Sequence, residues 1–223
     1  MGSKGCPAHQ TSDNRRPELA ALEVADPVER WEALGFAMAA GQVELGGVRV
    51  VLGAEGRGIT RWALRGIGEV DDIDGLATTS AARSAERPQI EVTHPNGATG
   101  IDHVVVVTPD FDRTAAALDA AGMPLRRVRD AGTFRQGFRR LGPAILELVE
   151  AKTAPAGAAS FWGLVVIVED LEALSDRLGE HLGSVKPAVQ PGRRIATLRG
   201  SAGLSAAVAF MDPPVRPSND PEP

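Results

Sequence analysis

Apolar and polar positions follow the same order in two segments of the chain. Residues 101–118 read IDHVVVVTPDFDRTAAAL, and residues 161–178 read FWGLVVIVEDLEALSDRL. In each segment an apolar run typical of a buried strand is followed by an acidic turn and then by apolar positions at helical spacing. The two segments start 60 residues apart, so the pattern predicts one supersecondary unit that is used twice.

Three further strand-like segments follow each of these helices. They read LRRVRDAG, TFRQGFRRLG and AILELVEA after the first helix, and VKPAVQ, RRIATLRG and LSAAVAFMD after the second. Pro109 near the start of the first helix and Gly122 after its end are typical of helix termini. Each unit is therefore predicted to be βαβββ.

The N-terminal part of the chain has a weaker version of the same pattern. Strand-like LAALEVAD leads into helix-like DPVERWEALGF, with Asp26 as the predicted N-cap and Pro27 at the first helical position. QVELGG and VRVVLG predict a hairpin, and GITRWALRGI predicts a strand. We expect DDIDGLATTSA to repeat the step from acidic turn to helix.

These patterns divide the chain into four parts. Residues 1–17 are polar and aperiodic and are predicted to form a disordered arm, and residues 213–223 a flexible tail. Residues 18–98 are predicted to form a degenerate pair of βαβββ-like units, and residues 99–212 a complete pair. The predicted fold class is α+β, with repeated βαβββ units forming curved mixed sheets around a cup.

Composition and charge narrow the function classes. The chain has 223 residues, a net charge of −5 and 43% hydrophobic residues, so it has no basic footprint for nucleic acid. No apolar run approaches the length of roughly 18 residues that a membrane span needs. A single cysteine, Cys6, fits a reducing cytoplasm. The abundance of Ala, Gly and Arg suggests a bacterial origin.

Two motifs connect the repeated unit with a known family. The first strand opens with the pattern xDHxxxxxxD around His103, and the last strand of that unit reads ILELVE around Glu147. In this order and spacing they resemble the vicinal oxygen chelate superfamily, which includes glyoxalases, extradiol dioxygenases, methylmalonyl-CoA epimerases and bleomycin-resistance proteins. The resemblance is good over residues 101–212 and weaker over residues 19–100.

The resemblance implies a metal held by four side chains, one from the first and one from the last strand of each unit. Matched residue by residue, the four positions fall on His103, Glu147, Gly163 and Ala209. Imidazole and carboxylate suit Fe, Mn, Zn, Ni or Co, but Gly and Ala offer no donor. A catalytic site generally needs three protein ligands, so the missing pair favours a site without metal.

Other residues could complete a metal site. His94 lies on the connector before the His103 strand, and Glu44 lies in the N-terminal region. Strand alternation places Asp102 and Glu150 on the face away from His103 and Glu147. Only His94, or residues of the N-terminal pair such as Glu44, could therefore complete the ligand set.

His103 and Glu147 are the candidate catalytic residues, with or without a metal. Without one, a His–Glu pair could act as a general acid and base, or the pair could simply line the cup. Gln136 is predicted to line the cup, while Arg135 could bind an anionic ligand and Trp162 could stack on one. The alternatives are a charged sheet edge for Arg135 and core packing for Trp162.

Three functions follow from these residues. The leading hypothesis is a glyoxalase-like protein that binds a small anionic or carbonyl-bearing molecule in the cup, without a complete metal site. The first alternative is a divalent-metal-dependent lyase, isomerase or dioxygenase, and the second is a non-catalytic scaffold. Pairing of the units within one chain or across a homodimer is left open.

Overall fold

The computed structural model describes residues 16–82, 92–130, 132–151 and 157–215. Most of the predicted arm, including Cys6, and the end of the predicted tail lie outside these residues. The described residues form two mixed β-sheets and three α-helices, an α+β fold as predicted. None of these helices is long and apolar enough to cross a membrane.

The N-terminal sheet has six strands in the order β2-β3-β1-β4-β6-β5. Strand β1 lies parallel to β3 and antiparallel to β4, and β4 lies parallel to β6. Its elements are β1 (Glu18–Val24), α1 (Val28–Ala33), β2 (Gln42–Leu45), β3 (Val48–Leu52), β4 (Ile59–Arg65), β5 (Asp72–Ile73) and β6 (Leu76–Ser80).

The helix predicted for DDIDGLATTSA is wrong, because this segment forms the hairpin of β5 and β6. Asp74 and Gly75 join the two strands with φ angles of +52° and +91°. Two successive positive φ angles are typical of a type I′ turn, for which Asp-Gly is a preferred pair. The β-branched Thr78 and Thr79 after the turn also favour a strand.

The C-terminal sheet has eight strands in the order β12-β13-β14-β11-β7-β10-β9-β8. Each half is a complete βαβββ unit, which confirms the predicted repeat. The first unit consists of β7 (Ala98–Thr108), α2 (Phe111–Ala120), β8 (Arg127–Asp130), β9 (Arg135–Leu141) and β10 (Ala144–Glu150). The second consists of β11 (Ser160–Val168), α3 (Leu171–Leu178), β12 (Lys186–Pro187), β13 (Arg194–Thr197) and β14 (Ala207–Met211).

Both long helices begin at an aspartate that caps the first turn. The Asp110 carboxylate accepts from the backbone N–H of Arg113, and the Asp170 carboxylate accepts from those of Glu172 and Ala173. These bonds satisfy N–H groups that have no partner within the helix. The repeated acidic turn in the sequence therefore marks the start of a helix in both units.

The first strands of the two C-terminal units each contain a β-bulge. His103 pairs with Val165, but the next pair skips Asp102. In the same way, Gly163 pairs with Val105 and the next pair skips Trp162. A bulge interrupts the alternation of side chains, so the skipped residue does not point where simple alternation predicts.

The N-terminal sheet has bulges at the equivalent places. Between β1 and β4 the register skips Ala20 on one strand and Thr60 on the other. All four first strands of the fold therefore share this irregularity, although the skipped residues differ in chemistry.

One hydrophobic core joins the two sheets. The rings of Trp62 and Phe161 meet edge to face with centroids 5.3 Å apart, and Phe36 stacks on Phe210 at 6.2 Å. Val104, Leu146 and Phe210 belong to the face of the C-terminal sheet that we call the core face. We call the opposite face, which carries His103 and Glu147, the cup face.

Asp26 does not cap α1, contrary to the sequence prediction. The N-cap position is Pro27, and no side chain caps this helix. Asp26 is instead 1% exposed and accepts from the indole Nε1 of Trp31 and the backbone N–H groups of Ser205 and Ala206. The Asp26 carboxylate therefore ties the N-terminal sheet to the segment that leads into β14.

We expect Asp26→Asn to reduce the free energy of unfolding by about 1–3 kcal/mol, because the amide presents N–H groups where the carboxylate accepted them. Urea unfolding of wild type and variant measures the difference. Glu29→Gln, on the exposed side of α1, is the matched control and should change stability little. Equal stability of Asp26→Asn and wild type would contradict this role.

Candidate functional site

His103 lies in the middle of the C-terminal sheet and is only 4% exposed. It faces Ile145 of β10 on one side and Val165 of β11 on the other. Both neighbouring strands hydrogen-bond to β7, so the backbone of His103 is fixed by the sheet.

Asp102 contacts His103 directly, with 2.5 Å between Asp102 Oδ2 and His103 Nδ1. Alternation along the strand predicted that Asp102 faces away from His103, and this prediction is wrong. The bulge at Asp102 breaks the alternation and lets neighbouring residues meet. The sequence carried no signal for this bulge.

Arg193 is the second partner of Asp102. Its Nη2 lies 2.6 Å from Asp102 Oδ1, and its Nε donates to the backbone oxygen of Asp212 at 2.7 Å. Arg193 follows the turn Gln190–Gly192, in which Gly192 has a φ of +74°. The sequence alone gave Arg193 no place in the site.

The Asp102 carboxylate is thus held between a guanidinium and an imidazole, all three less than a tenth exposed. Both contacts are short but bent away from the direction of a good hydrogen bond, so we regard them as close electrostatic contacts. Burial alone would raise the pKa of Asp102, but the contacts with His103 and Arg193 outweigh it and lower the pKa. Asp102 is therefore a carboxylate in the folded protein.

Glu147 lies on β10 and is half-buried on the cup face. Gln136 of β9 donates a hydrogen bond from Nε2 to Glu147 Oε1 at 2.7 Å. Burial raises the pKa of Glu147, and the nearby His103 and the bond from Gln136 offset only part of this effect. The structure therefore brings His103, Glu147 and Gln136 to one face.

Apolar residues fill the other half of the cup face. Val165, Ala209 and Met211 form a small buried cluster with Ala188 and Ile195 packed against it. The Glu147 half is more open, since Val149, Gln136 and Phe138 remain partly exposed. A ligand would have more room above β9 and β10 than above β13 and β14.

Strand register shows which residues occupy equivalent positions in the two units. Glu147 pairs with Val105, and Ala209 pairs in the same way with Val165. His103 and Gly163 are related likewise by the pairing of β7 with β11. The four positions that the resemblance assigned to metal ligands therefore form two equivalent pairs, His103 with Gly163 and Glu147 with Ala209.

Gly163 cannot be replaced by a ligand without movement of the sheet. A Cβ built on Gly163 would overlap the backbone oxygen of Ala207 on the adjacent strand. The third ligand position is therefore closed by backbone atoms, in addition to lacking a side chain.

The residues present do not fit a divalent metal centre. His103 uses Nδ1 for Asp102, Glu147 is engaged by Gln136, and Gly163 and Ala209 have no donor. Among the described residues, no three His, Cys, Asp or Glu side chains are grouped so that they could hold an ion.

His94 does not complete such a centre. Its Nδ1 accepts from the backbone N–H of Ala37 at 3.0 Å, and its Nε2 donates to the backbone oxygen of Glu44 at 2.8 Å. Both ring nitrogens are occupied, so His94 joins the N-terminal sheet to the connector before β7. It lines a cleft of about 360 Å³ that does not include His103 or Glu147.

Arg135 is not brought together with His103 and Glu147. Its guanidinium pairs with Asp112 at 2.8 Å and with Glu150 at 3.2 Å, and it lies over the ring of Phe111. The equivalent Arg194 pairs in the same way with Glu172 and Asp212, and this contact lowers the pKa of Asp212. The repetition indicates that these arginines connect helix and sheet.

Trp162 occupies the bulge beside Gly163 and is 52% exposed. The alternative of core packing is therefore wrong for this residue, whereas Trp31 and Trp62 are fully buried. An exposed indole next to the cup stays a candidate for contact with a ligand.

Comparisons with known proteins show the class of fold. No protein-family model matches the sequence, and no curated protein sequence is significantly similar to it. A solved xylose isomerase-like TIM barrel/4-hydroxyphenylpyruvate dioxygenase fusion protein matches 91% of this chain over 49% of its own, with a TM-score of 0.60 and 12% identity. The methylmalonyl-CoA epimerase of Mycobacterium tuberculosis matches 53% of this chain over 91% of its own, with a TM-score of 0.45 and 20% identity.

The first match spans both sheets of this chain, and the two C-terminal units are complete βαβββ repeats. The chain therefore has the vicinal oxygen chelate fold, which confirms the resemblance seen in the sequence. At these levels of identity the likeness concerns the fold alone, and function has to be argued from the site.

We expect Gly163→Ala to reduce the free energy of unfolding by about 1–3 kcal/mol, because the added methyl group overlaps Ala207. Thermal or urea unfolding measures the loss. Gly200→Ala is the matched control, since a Cβ at Gly200 meets nothing within 4 Å. If both variants were equally stable, the third ligand position would not be closed.

Glu147 should make stability depend on pH in a particular direction. Its pKa is raised in the folded protein above the ordinary value of 4.5, so the folded state holds this proton more tightly. Stability should then fall as pH rises from about 4.5 through the folded pKa. Glu147→Gln lacks the titrating proton, so wild type should lose stability relative to this variant over that window.

Urea unfolding of both proteins between about pH 4.5 and about pH 8 tests this dependence. A difference in unfolding free energy that does not change with pH would contradict the raised pKa. Glu29→Gln, which removes an exposed carboxyl group, controls for the change in net charge.

Proposed function

We propose that this protein binds a small carbonyl-bearing molecule on the cup face, against His103 and Glu147, without a divalent metal. The observation that carries the proposal is the convergence of His103, Glu147 and Gln136 on one half-open face. These side chains offer hydrogen-bonding groups beside apolar strand residues, a combination typical of ligand sites.

The carbonyl class is better supported than the anionic class. A carboxyl group that keeps its proton to higher pH can donate a hydrogen bond to a carbonyl oxygen, and the pKa of Glu147 is raised. An anion would need a cation within reach. Arg193 is already paired with Asp102, and Arg135 with Asp112 and Glu150. Arg140 lies at the other end of β9 from Gln136, where it is exposed and donates to the backbone oxygen of Gly142.

The open half of the cup face defines where the ligand would lie. We propose that it lies above β9 and β10, with Gln136 and Glu147 beneath it and Trp162 at the margin. Because Trp162 is already half-exposed, its indole could offer apolar contact area to a ligand without any rearrangement of the core.

The contact between Asp102 and His103 favours a second function, namely proton transfer without a metal. A carboxylate beside one ring nitrogen orients an imidazole for general base catalysis at the other. In this function His103 Nε2 would take a proton from the carbon next to the carbonyl group. Glu147 would stabilise the negative charge that develops on the carbonyl oxygen by donating a hydrogen bond to it.

Several sequence-based predictions go with this proposal. We propose that residues 18–98 and 99–212 are the two structural parts and that the protein acts in a bacterial cytoplasm. They rest on the sequence patterns described above.

A panel of carbonyl compounds tests the proposed binding. Phenylpyruvate, pyruvate, dihydroxyacetone and acetyl-CoA are titrated while the melting temperature and the ¹H–¹⁵N amide spectrum are recorded. At least one compound should raise the melting temperature by binding the folded state, and should shift amides of β9 and β10. His103→Gln and Glu147→Gln should each weaken that binding about tenfold, or about 1.4 kcal/mol.

Glu23→Gln, on an exposed part of the N-terminal sheet, is the control and should bind as wild type does. If no compound binds, or if both cup variants bind normally, the scaffold alternative replaces this proposal.

A further inference from the structure

The Arg193–Asp102–His103 chain constrains where protons can reside. His103 Nδ1 and Asp102 Oδ2 are 2.5 Å apart, which would be strongly repulsive if both atoms presented lone pairs. Asp102 is a carboxylate and therefore an acceptor only. An N–H dipole on Nδ1 attracts this carboxylate even though the contact is bent away from an ideal hydrogen bond, so the proton is favoured on Nδ1 of His103.

The other ring nitrogen is left without a proton when the imidazole is neutral. Within the described part of the chain, no hydrogen bond or ion pair involves Nε2 of His103. A neutral imidazole protonated on Nδ1 presents Nε2 as an acceptor. A ligand that meets this atom must supply a hydrogen.

Arg193 fixes the orientation of the Asp102 carboxylate. A guanidinium carries donors only, so the Asp102 oxygen that faces Arg193 must remain an acceptor. Arg193 is held in turn by the backbone oxygen of Asp212 and by the turn that precedes it. The Asp102 carboxylate therefore cannot rotate freely to change its partners.

We infer that Asp102, held by Arg193, is a positioning residue that fixes His103 in its Nδ1-protonated form and leaves Nε2 as the acceptor of the site. The inference rests on the proposed function and narrows its ligand class. The part of the ligand that meets Nε2 must carry an O–H, an N–H or an acidic C–H.

All four first strands have this bulge, but only in β7 does the skipped residue carry a carboxylate. The equivalent skipped residues are Ala20, Thr60 and Trp162, which carry no carboxylate. The residues after them are Ala21, Arg61 and Gly163 rather than histidine. The bulge therefore brings the side chains at positions 102 and 103 together. Because these residues are Asp and His, the contact can orient an imidazole.

Asp102→Asn tests the inference, because the amide has one acceptor and one donor side. Arg193 can only donate, so the amide oxygen must face Arg193 and the NH₂ group must face His103 Nδ1. That contact requires Nδ1 to accept, which moves the proton of His103 to Nε2. The variant should thus reverse the tautomer while leaving the fold in place.

Ring ¹⁵N shifts of His103 in the ligand-free protein report the tautomer directly. They are measured at about pH 8, where an ordinary imidazole is neutral, and assigned by comparison with His103→Gln. Wild type should show the Nδ1–H form, and Asp102→Asn should shift the ratio of the two forms at least tenfold toward Nε2–H. Asp112→Asn, whose carboxylate is 80% exposed and pairs with Arg135, is the matched control and should behave as wild type.

A double variant separates positioning from structural damage. In Asp102→Asn combined with Arg193→Met, the amide is free to turn its oxygen to Nδ1, so the Nδ1–H form should recover. Damage to the sheet would not be repaired by a second substitution.

Two results would overturn the inference. One is an Nε2–H tautomer in the wild type, a result that does not depend on the folding of any variant. The other is an unchanged tautomer ratio in Asp102→Asn. The tautomer measurement uses ligand-free protein, so its result does not depend on the result of the carbonyl panel. The positioning role of Asp102 and the proposed carbonyl binding are therefore tested separately.

Discussion

Asp102 is buried between Arg193 and His103, and the layout of the cup face depends on how its charge is balanced. A carboxylate in such a place is costly unless a partner neutralises it. Arg193 does so from the loop between β12 and β13, and Ala188 of the same loop packs on the apolar half of the cup face. The other half, above β9 and β10, is more exposed.

The two C-terminal units keep the same scaffold and differ in the cup. Arg135 and Arg194 make equivalent ion pairs between helix and sheet. By contrast, His103 corresponds to Gly163 in the second unit, and the Glu147 position carries alanine. Interactions that hold the fold are thus repeated, while those that face a ligand occur once. The proposed site takes His103, Glu147 and Gln136 from the first unit and Arg193 and Trp162 from the second, so it is not the symmetric metal coordination that the resemblance implies.

The sequence predicted the repeated units because hydrophobic periodicity and acidic helix starts are local signals. It also placed Gln136 and Glu147 on one face, since their strands are regular and alternation holds there. It failed at Asp102, because a bulge depends on the register between strands and has no local signature. Asp26 was misread for a similar reason. It resembles a helix cap locally, whereas its partners Ser205 and Ala206 lie about 180 residues away along the chain.

The aromatic contacts between the sheets explain why the N-terminal sheet persists although it contributes no side chain to the site. Phe36 and Trp62 cover Phe210 and Phe161, which belong to β14 and β11. A recombinant fragment starting at residue 99 would leave these rings in water and would be expected to aggregate. In this chain the N-terminal sheet thus covers apolar surface that the C-terminal sheet alone would expose to water.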